Sequence, residues 1–328
     1  MSERARLLKS IADTIADYRA GEIAKPTPAH VDRWVNQFPQ SVQQPILTEM
    51  EHVLARTYLT KPNVENFLSK LVMNPKLAGT NPCTFWRGVT FLDIQGGGNS
   101  QRDMLALFSS ALQRECGFTT AQCGIAKTST YLYLDDVLFT GNRILHDLTS
   151  WINSDAPQVA TVHVVTIGLH SGGQFYANGK IVQAAKTAGK AITLTWWRAK
   201  EIEDRRAYTA TSDVLRPTSI PNDPATQAYV QSLRYAPTLR APGNVGGSGF
   251  FSSENGRSLL EQEFLKIGVH IRSICPRLTI SQRPLGHMTL ETLGFGSMIV
   301  TFRNCPNNTP LALWAGNPWY PLFPRKTN

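Results

Sequence analysis

The sequence predicts an α/β fold built on a parallel β-sheet. Between residues 85 and 200, apolar strand-like segments alternate with segments of helical periodicity, an order typical of parallel strands joined by crossover helices. The strand-like segments are almost continuously apolar, as expected for a sheet that is covered on both faces. The 328 residues are 42% hydrophobic and 17% charged, which is typical of a globular protein with a substantial core.

Four strands are predicted in this region, together with the helices that connect them. The strand segments are VTFLDI (89–94), TYLYLD (130–135), TVHVVTIGLH (161–170) and AITLTWW (191–197). Apolar residues at helical spacing follow the first three strands, over 102–116, over 141–153 and around 181–185.

The chain on either side of these strands has a different character. The first eighty residues carry apolar side chains at helical spacing, whereas the chain after residue 206 is rich in proline and glycine. Aromatic residues near the C-terminus indicate a segment that packs on the core. We therefore predict an N-terminal helical region (1–80), an α/β core (81–206) and a loop-rich C-terminal extension (207–328).

Composition restricts the setting and the partners. No apolar run reaches the roughly 18 residues of a membrane span, and the N-terminus lacks a signal-peptide core. We therefore expect a cytoplasmic protein with no membrane partner. The net charge of +9 favours a nucleic-acid or phosphate-rich partner. Four arginines surround one acid, Glu291, and either a solvated face or contact with a phosphate backbone fits them: Arg272, Arg277, Arg283 and Arg303.

The five cysteines are odd in number and scattered along the chain. They form no CxxC pair and no Cys/His cluster at zinc spacing, which disfavours both a disulfide framework and structural zinc. We therefore expect free, mostly buried thiols.

A glycine-rich loop follows the first predicted strand. It consists of Gly96, Gly97, Gly98, Asn99 and Ser100. Glycines let the backbone approach a ligand closely and turn amides toward an anion. The loop is neither a dinucleotide fingerprint, because Gln101 stands where a glycine is needed, nor a P-loop. A phosphate site and a tight turn without a ligand both fit it.

Two adjacent carboxylates follow the second predicted strand, in YLYLDDVLFTGNR (131–143). In an open parallel sheet, ligands bind beyond the carboxyl ends of the strands. Asp135 and Asp136 are therefore expected at the ligand edge, and the start of the next helix offers an anion site. That site comprises Thr140, Gly141, Asn142 and Arg143. The alternative is a strand end in which an aspartate caps the helix.

YLYLDDVLFTGNR resembles the phosphoribosyl diphosphate (PRPP) signature of type I phosphoribosyltransferases. The resemblance implies a type I phosphoribosyltransferase-like sheet flanked by helices. It also implies that Asp135 and Asp136 hold ribose hydroxyls, that 140–143 hold the 5′-phosphate, and that the loop at 97–100 holds the diphosphate, with Mg²⁺ bridging through the ligand rather than bound directly by the protein. Asn142 and Arg143 depart from the small residue and threonine that the signature usually carries.

Segments outside the core extend the resemblance over most of the chain. VDRWVNQF (31–38), RPLGHMTLETLGFGSMIV (283–300) and CPNNTPLALW (305–314) are similar to segments of phosphoribosyltransferase-like proteins of bacterial conflict and anti-phage gene clusters, some of them beside retron reverse transcriptases. The resemblance implies a defence effector, with a reverse transcriptase and its RNA-linked DNA as partners in the retron setting. It assigns no chemistry to these long segments.

Three further residues are candidates for the site edge, and the function stays open between classes. His170 ends the third strand, and Trp196 and Trp197 end the fourth, where related enzymes stack a base. His163 lies within an apolar strand and is expected in the core. The leading hypothesis is an enzyme acting on PRPP or on a nucleotide containing ribose 5-phosphate. The alternatives are a nucleotide-sensing, nucleic-acid-binding subunit and a scaffold with a relict site.

Overall fold

The structure, a computed structural model, describes residues 1–125 and 128–326. It confirms the predicted α/β class with a parallel sheet and flanking helices. The helices are α1 (Glu3–Thr14), α2 (Pro28–Val35), α3 (Gln40–Thr57), α4 (Lys61–Val72), α5 (Pro75–Ala78), α6 (Pro82–Arg87), α7 (Ser100–Cys116), α8 (Asn142–Ser154), α9 (Ser171–Thr187), α10 (Pro224–Gln231), α11 (Glu254–Ile274) and α12 (Leu311–Trp314). The strands are β1 (Tyr58–Leu59), β2 (Thr90–Leu92), β3 (Thr130–Leu138), β4 (Val159–His170), β5 (Ala191–Ile202), β6 (Gln282–Arg283), β7 (Gly286–His287) and β8 (Val300–Thr301).

The chain divides into two compact units, and they group its ends differently from the three predicted regions. The sheet unit comprises Pro62–Ile202, and the terminal unit comprises Met1–Lys61 together with Glu203–Asn328. The terminal unit thus joins the N-terminal helices up to residue 61 to the C-terminal chain, and residues 62–80 belong to the sheet unit.

Side-chain contacts explain why the two ends of the chain form one unit. The indole of Trp34 in α2 donates a hydrogen bond to the carbonyl of Ala312 at 2.8 Å. Phe38 makes edge-on ring contacts with Trp34 and Trp319 and packs at a tilt against Phe264 of α11. Such buried aromatic contacts join segments that are almost three hundred residues apart in the sequence.

The sheet unit is built on four parallel strands in the order β2-β3-β4-β5. Helices α8 and α9 cover one face, where Tyr133, Val162 and Val164 belong to the buried core. On the other face, Phe91 contacts Phe108 of α7 at 5.4 Å between ring centroids. Both faces are therefore apolar, which accounts for the nearly continuous apolar strands in the sequence.

The lengths of β2 and β3 differ from the predicted ones. β2 ends at Leu92, because the next free amides, those of Ile94 and Gln95, donate to the side chain of Gln101. β3 continues through Leu138, so the two aspartates lie within the strand and not beyond its end.

The structure corrects the expectation about the cysteines. The expectation that all cysteines are free is wrong: Cys83 and Cys116 form a disulfide. A sequence separation of 33 residues does not by itself indicate a disulfide. The fold, however, places α6 beside the end of α7, with 5.4 Å between the two Cα atoms. Cys123, Cys275 and Cys305 are free. Among the described residues, no helix is both long and apolar enough to cross a membrane.

Candidate functional site

The turn between β3 and α8 packs directly on the start of α9. Gly141 has a φ of +77°, which favours glycine, and a Cβ there would lie 2.4 Å from the carbonyl oxygen of Gly173. A Cβ on Gly173 would lie 1.8 Å from the carbonyl oxygen of Phe139. No side chain in the described chain caps the start of α8. The first amides of this helix are therefore donors without an intrahelical acceptor, at a turn whose position is fixed by contact.

The glycine-rich loop lies next to this turn, and a single hydrogen bond joins the two. Arg143 Nη1 donates to the carbonyl oxygen of Gly97 at 2.5 Å. The loop is exposed at 96–99, and a Cβ on Gly96 or Gly97 would meet no atom within 4 Å. α7 begins at Ser100, directly after the loop. Two helix N-termini, each favourable for anions, therefore open on the same edge of the sheet.

Two glutamines hold the base of the glycine-rich loop. Gln101 is fully buried, and its Oε1 accepts hydrogen bonds from the amides of Ile94 and Gln95 at 2.8 and 2.9 Å. Its Nε2 donates to the carbonyl of Leu134 in β3 at 3.4 Å. Gln95 Oε1 in turn accepts from the Ser100 hydroxyl at 3.1 Å. The sequence showed Gln101 only as a missing glycine, whereas its side chain ties the loop to the strand that carries the acid pair.

The two adjacent aspartates lie in different environments. Asp135 is 4% exposed and Asp136 is half-buried, as expected because neighbouring strand residues project to opposite faces. Burial, and next the negative charge of Asp136, raises the pKa of Asp135 to about 7. A hydrogen bond from Ser100 and the nearby charge of Arg143 oppose this shift. Asp135 is therefore a carboxyl group poised to change its charge near neutral pH.

A second buried carboxyl group, that of Asp147, bonds to β3 through Tyr133. The Tyr133 hydroxyl donates to Asp147 Oδ2 of α8 at 2.7 Å, and both side chains are buried. Burial, with the charges of Asp135 and Asp147, raises the pKa of Tyr133 above its ordinary value. The sequence analysis missed Asp147, although a signal was present: an acid on the apolar face of an amphipathic helix, between Ile144 and Leu148.

Of the other candidate residues, His170 contacts the turn between β3 and α8 from inside the fold, whereas Trp196 and Trp197 lie two strands away from β3. His170 is fully buried, with Nδ1 2.8 Å from the carbonyl oxygen of Leu138 and its ring stacked on Phe139. His170 therefore packs inside the fold against the turn between β3 and α8. Trp196 and Trp197 lie on β5, where they pair with Val164 and Val165 of β4. Because neighbouring strands are about 4.8 Å apart, the backbone of these tryptophans is about 10 Å from that of β3.

Local hydrogen bonds account for the two tryptophans and for His163. Trp196 Nε1 donates to Asn178 of α9, and Trp197 Nε1 donates to Thr195. His163 lies 2.5 Å from Thr195 Oγ1, and burial lowers its pKa. All three side chains thus have structural partners, Thr195 in the sheet for His163 and Trp197 and Asn178 in α9 for Trp196.

The four arginines around Glu291 do not form one solvated face. Arg283 is buried, and Arg272 Nη1 donates to the carbonyl of Gln282. Arg277 is exposed and Arg303 is half-buried. The expectation of a solvated face is wrong for Arg283, because the β6–β7 hairpin turns its side chain inward.

Within residues 1–125 and 128–326, no cluster of three or more His, Cys, Asp or Glu side chains could hold a metal ion. The carboxyl oxygens of Asp135 and Asp136 are nevertheless hard donors of the kind that Mg²⁺ prefers.

The parallel sheet, the acid pair and the two joined turns define a phosphoribosyltransferase-like protein. The model of the PRTase-CE family matches residues 31–325, which is most of the chain, and the chain belongs to that family. This confirms the resemblance seen in the sequence, including its extent beyond the sheet unit. No curated protein and no solved structure matched the chain.

Proposed function

We propose that this chain binds PRPP, or a nucleotide containing ribose 5-phosphate, and breaks a bond at C1 of the ribose. The single observation that carries the proposal is the hydrogen bond from Arg143 to Gly97. It holds two helix starts side by side at the edge where Asp135 lies. A ligand with a phosphate at each end of a ribose has the charge and the hydroxyls to occupy all three elements.

Each element has a role that follows from its chemistry. The turn at 140–143 would hold the 5′-phosphate through helix-start amides and the Arg143 guanidinium, since charge-assisted bonds favour phosphate. The open loop at 96–100 would admit the diphosphate. Asp135 and Asp136 would accept hydrogen bonds from the ribose hydroxyls, so binding favours the ionised form of Asp135.

Mg²⁺ would accompany the diphosphate in this proposal. The oxygen donors near the loop fit it, because carboxylates are ligands that Mg²⁺ commonly uses. When bound, the ion would neutralise charge on the phosphates. The chain's own contribution is to position the ribose and to hold negative charge near C1, where an oxocarbenium-like transition state is electron-poor. Catalysis of this kind rests on positioning and electrostatics more than on a strong base.

The biological role we propose is that of an effector in a bacterial anti-phage system, in the retron setting together with a reverse transcriptase and its RNA-linked DNA. The resemblance of the 31–38, 283–300 and 305–314 segments supports this role, and the net charge of +9 suits a nucleic-acid partner.

A second candidate is a sensor that binds the same ligand without turnover. It is favoured by Arg143, which stands where the signature usually has threonine and which already donates to Gly97. Enzyme and sensor share the ligand but differ in product formation.

Turnover of PRPP tests the proposal. The purified chain with Mg²⁺ and PRPP, with and without its cognate reverse transcriptase complex, should release diphosphate or ribose 5-phosphate at a rate above that of an Asp135→Asn/Asp136→Asn variant. An Asp93→Asn/Asp103→Asn variant is a control that removes two acids close to α7. Saturable PRPP binding without any product would contradict the enzyme hypothesis and support the sensor hypothesis. Absence of PRPP binding, together with unchanged phage protection in the Asp135→Asn/Asp136→Asn variant, would contradict both.

A further inference from the structure

The terminal unit contains a partly open cavity that the proposed function does not use. Its volume is about 80 Å³, enough for several water molecules, since one needs about 10–15 Å³. The lining includes Asp204, Arg206, Arg216, Thr238, Leu293 and Phe295. It therefore carries two guanidinium groups against one carboxylate.

Part of the cavity wall is formed by the 283–300 segment, and backbone hydrogen bonds fix its conformation. The sequence resemblance assigned no chemistry to this segment. The amide of Leu285 donates to the carbonyl of Leu293 at 2.8 Å, and that of Gly296 donates to Leu285 at 2.6 Å. The amide of Leu215 then bonds to the carbonyl of Gly296 at 2.8 Å. Gly296 has a φ of +79°, and a Cβ there would lie 2.4 Å from the Leu215 carbonyl oxygen. The segment is thus held against the chain that carries Arg216.

The cationic side of the cavity belongs to a larger buried cluster with excess positive charge. Arg216 Nη1 and Nη2 donate to the backbone carbonyls of Arg205 and Asp204. The amide of Arg216 donates at 2.8 Å to Glu261, a buried carboxylate that Arg240 and Arg257 share. In the described chain, Nε and Nη2 of Arg257 have no hydrogen-bond acceptor, although Nη2 lies 4.0 Å from a carboxylate oxygen of Glu254.

The charge of this cluster is only partly compensated. Burial raises the pKa of Glu261 to about 7, against the effect of Arg257 and Arg240. Burial lowers the pKa of Arg216, although Asp204 opposes the shift. Positive groups in a low-dielectric interior are costly unless an anion compensates them.

We propose that this cavity is a second ligand site, which takes a phosphate group or a tetrahedral anion of similar size. Arg206 and Arg216 would contact the anion, and Thr238 at the rim would offer a hydroxyl. The site lies wholly in the terminal unit, whereas the proposed ribose-phosphate site lies in the sheet unit. The chain would therefore bind phosphate at two independent places.

Calorimetry with inorganic phosphate on the full chain tests this directly. We expect two classes of site. Arg206→Gln should weaken one of them about tenfold or more, because a hydrogen bond to a charged group contributes about 1.5–3 kcal/mol and 1.4 kcal/mol is a factor of ten. Arg206 is exposed, so the variant should fold. Arg277→Gln removes the same charge from an exposed position of the same unit and should change neither class.

The outcomes separate this inference from the proposed function. A single site that is lost in Arg143→Gln and unchanged in Arg206→Gln would overturn the inference and leave the proposed function standing. A single site that is lost only in Arg206→Gln would support the inference and contradict the phosphate role of 140–143. Tungstate density between Arg206 and Arg216 in a soaked crystal should agree with the calorimetry, and its absence at saturating tungstate would count against the site.

The source of the phosphate group can be distinguished in an Arg143→Gln background. Tighter binding of ribose 5-phosphate than of inorganic phosphate would identify a phosphate ester as the ligand, and the reverse would identify the free ion. Binding of neither would overturn the inference.

Discussion

The two turns at the edge of the sheet each lead into the start of a helix, α7 at Ser100 and α8 at Asn142, but they are built in opposite ways. In the turn at 139–143, close backbone contact with α9 leaves no room for a single added carbon at Gly141 or Gly173. In the loop at 96–100, added carbons on Gly96 and Gly97 would meet open space. A turn that is fixed before binding determines where a phosphate lies, whereas an open loop can adapt to the remainder of the ligand.

Among substitutions that test this difference between the two turns, the largest effect on stability is expected at Gly173. Gly173→Ala would place Cβ 1.8 Å from the Phe139 carbonyl oxygen, so the turn must separate from α9. We expect the free energy of unfolding to fall by at least about 3 kcal/mol, at the upper end of overpacking. Urea denaturation measures it. Gly179→Ala, in the same helix with no atom within 4 Å of its Cβ, should instead stabilise by about 0.5–1 kcal/mol. Equal stability of the two variants would mean that the turn is not locked.

The next effect concerns the base of the open loop. Gln101→Leu keeps the size of the side chain but leaves the amides of Ile94 and Gln95 without their acceptor. We expect a loss of about 2–4 kcal/mol, because a buried donor left unsatisfied costs about 1–3 kcal/mol. Gln113→Leu, exposed on the same helix, is the control for urea denaturation. Similar stabilities in both variants would show that Gln101 does not hold the loop.

A smaller effect is expected where the two turns meet. Arg143→Gln removes the charge that we assign to the 5′-phosphate, so ribose 5-phosphate should bind about tenfold more weakly. Unphosphorylated ribose and nucleosides should change by less than about threefold, within the usual range of surface substitutions. Calorimetry with both ligand types, and with Arg102→Gln as a charge control, measures the difference. Equal weakening of both ligand types would assign Arg143 a purely structural role.

The smallest effects sharpen the description of the open loop itself. Gly97→Ala should change stability by less than about 0.5 kcal/mol, as substitutions away from special features do. Gly98 has a φ of +85°, so Gly98→Ala should cost about 1–2 kcal/mol. Thermal denaturation of the pair measures this contrast, and a large cost at Gly97 would mean that the loop is packed and not open.

Periodicity predicted the parts of the fold that depend on repeated patterns. The apolar strands and amphipathic helices of the sheet unit are where their spacing indicates, and the acid pair and turn lie together as the signature implies. Strand ends were less predictable, because a side chain seven residues away from Ile94, that of Gln101, decides where β2 stops. The association of the N-terminal helices with the C-terminal chain depends on contacts such as Trp34 with Ala312, for which no local pattern exists.

The candidate site residues also divide into those with a local sequence pattern and those whose position depends on long-range contacts. Thr140 to Arg143 and the glycine-rich loop could be placed from sequence because helix starts and glycines have local signatures. His170 could not, since its position at a strand end is equally compatible with a ligand contact and with the buried bond it makes to Leu138. The cavity at Arg206 and Arg216 draws on residues from 204 to 295, and only the folded chain brings them together.

The acid pair has a pH dependence that follows from its burial. The pKa of Asp135 is raised in the fold from 3.8 to about 7, so the folded state holds this proton more tightly than the unfolded state does. Its stabilising effect is complete below about pH 4 and is lost as pH rises through about 7. Asp135→Asn should therefore match the parent below about pH 4, begin to exceed it by about pH 5, and exceed it at about pH 8 by a few kcal/mol at most, since one pKa unit is about 1.4 kcal/mol.

The central claim is that Asp135 and Asp136 bind the ribose of a phosphorylated ligand. Its most direct test is the Mg²⁺-dependent affinity for PRPP of the Asp135→Asn/Asp136→Asn variant at pH 8, by calorimetry, beside the parent and the Asp93→Asn/Asp103→Asn control. We predict a folded variant, at least as stable as the parent, whose affinity is reduced about a hundredfold or more, because two charge-assisted hydrogen bonds contribute about 1.5–3 kcal/mol each. A folded variant that binds PRPP within about threefold of the parent would contradict the assignment.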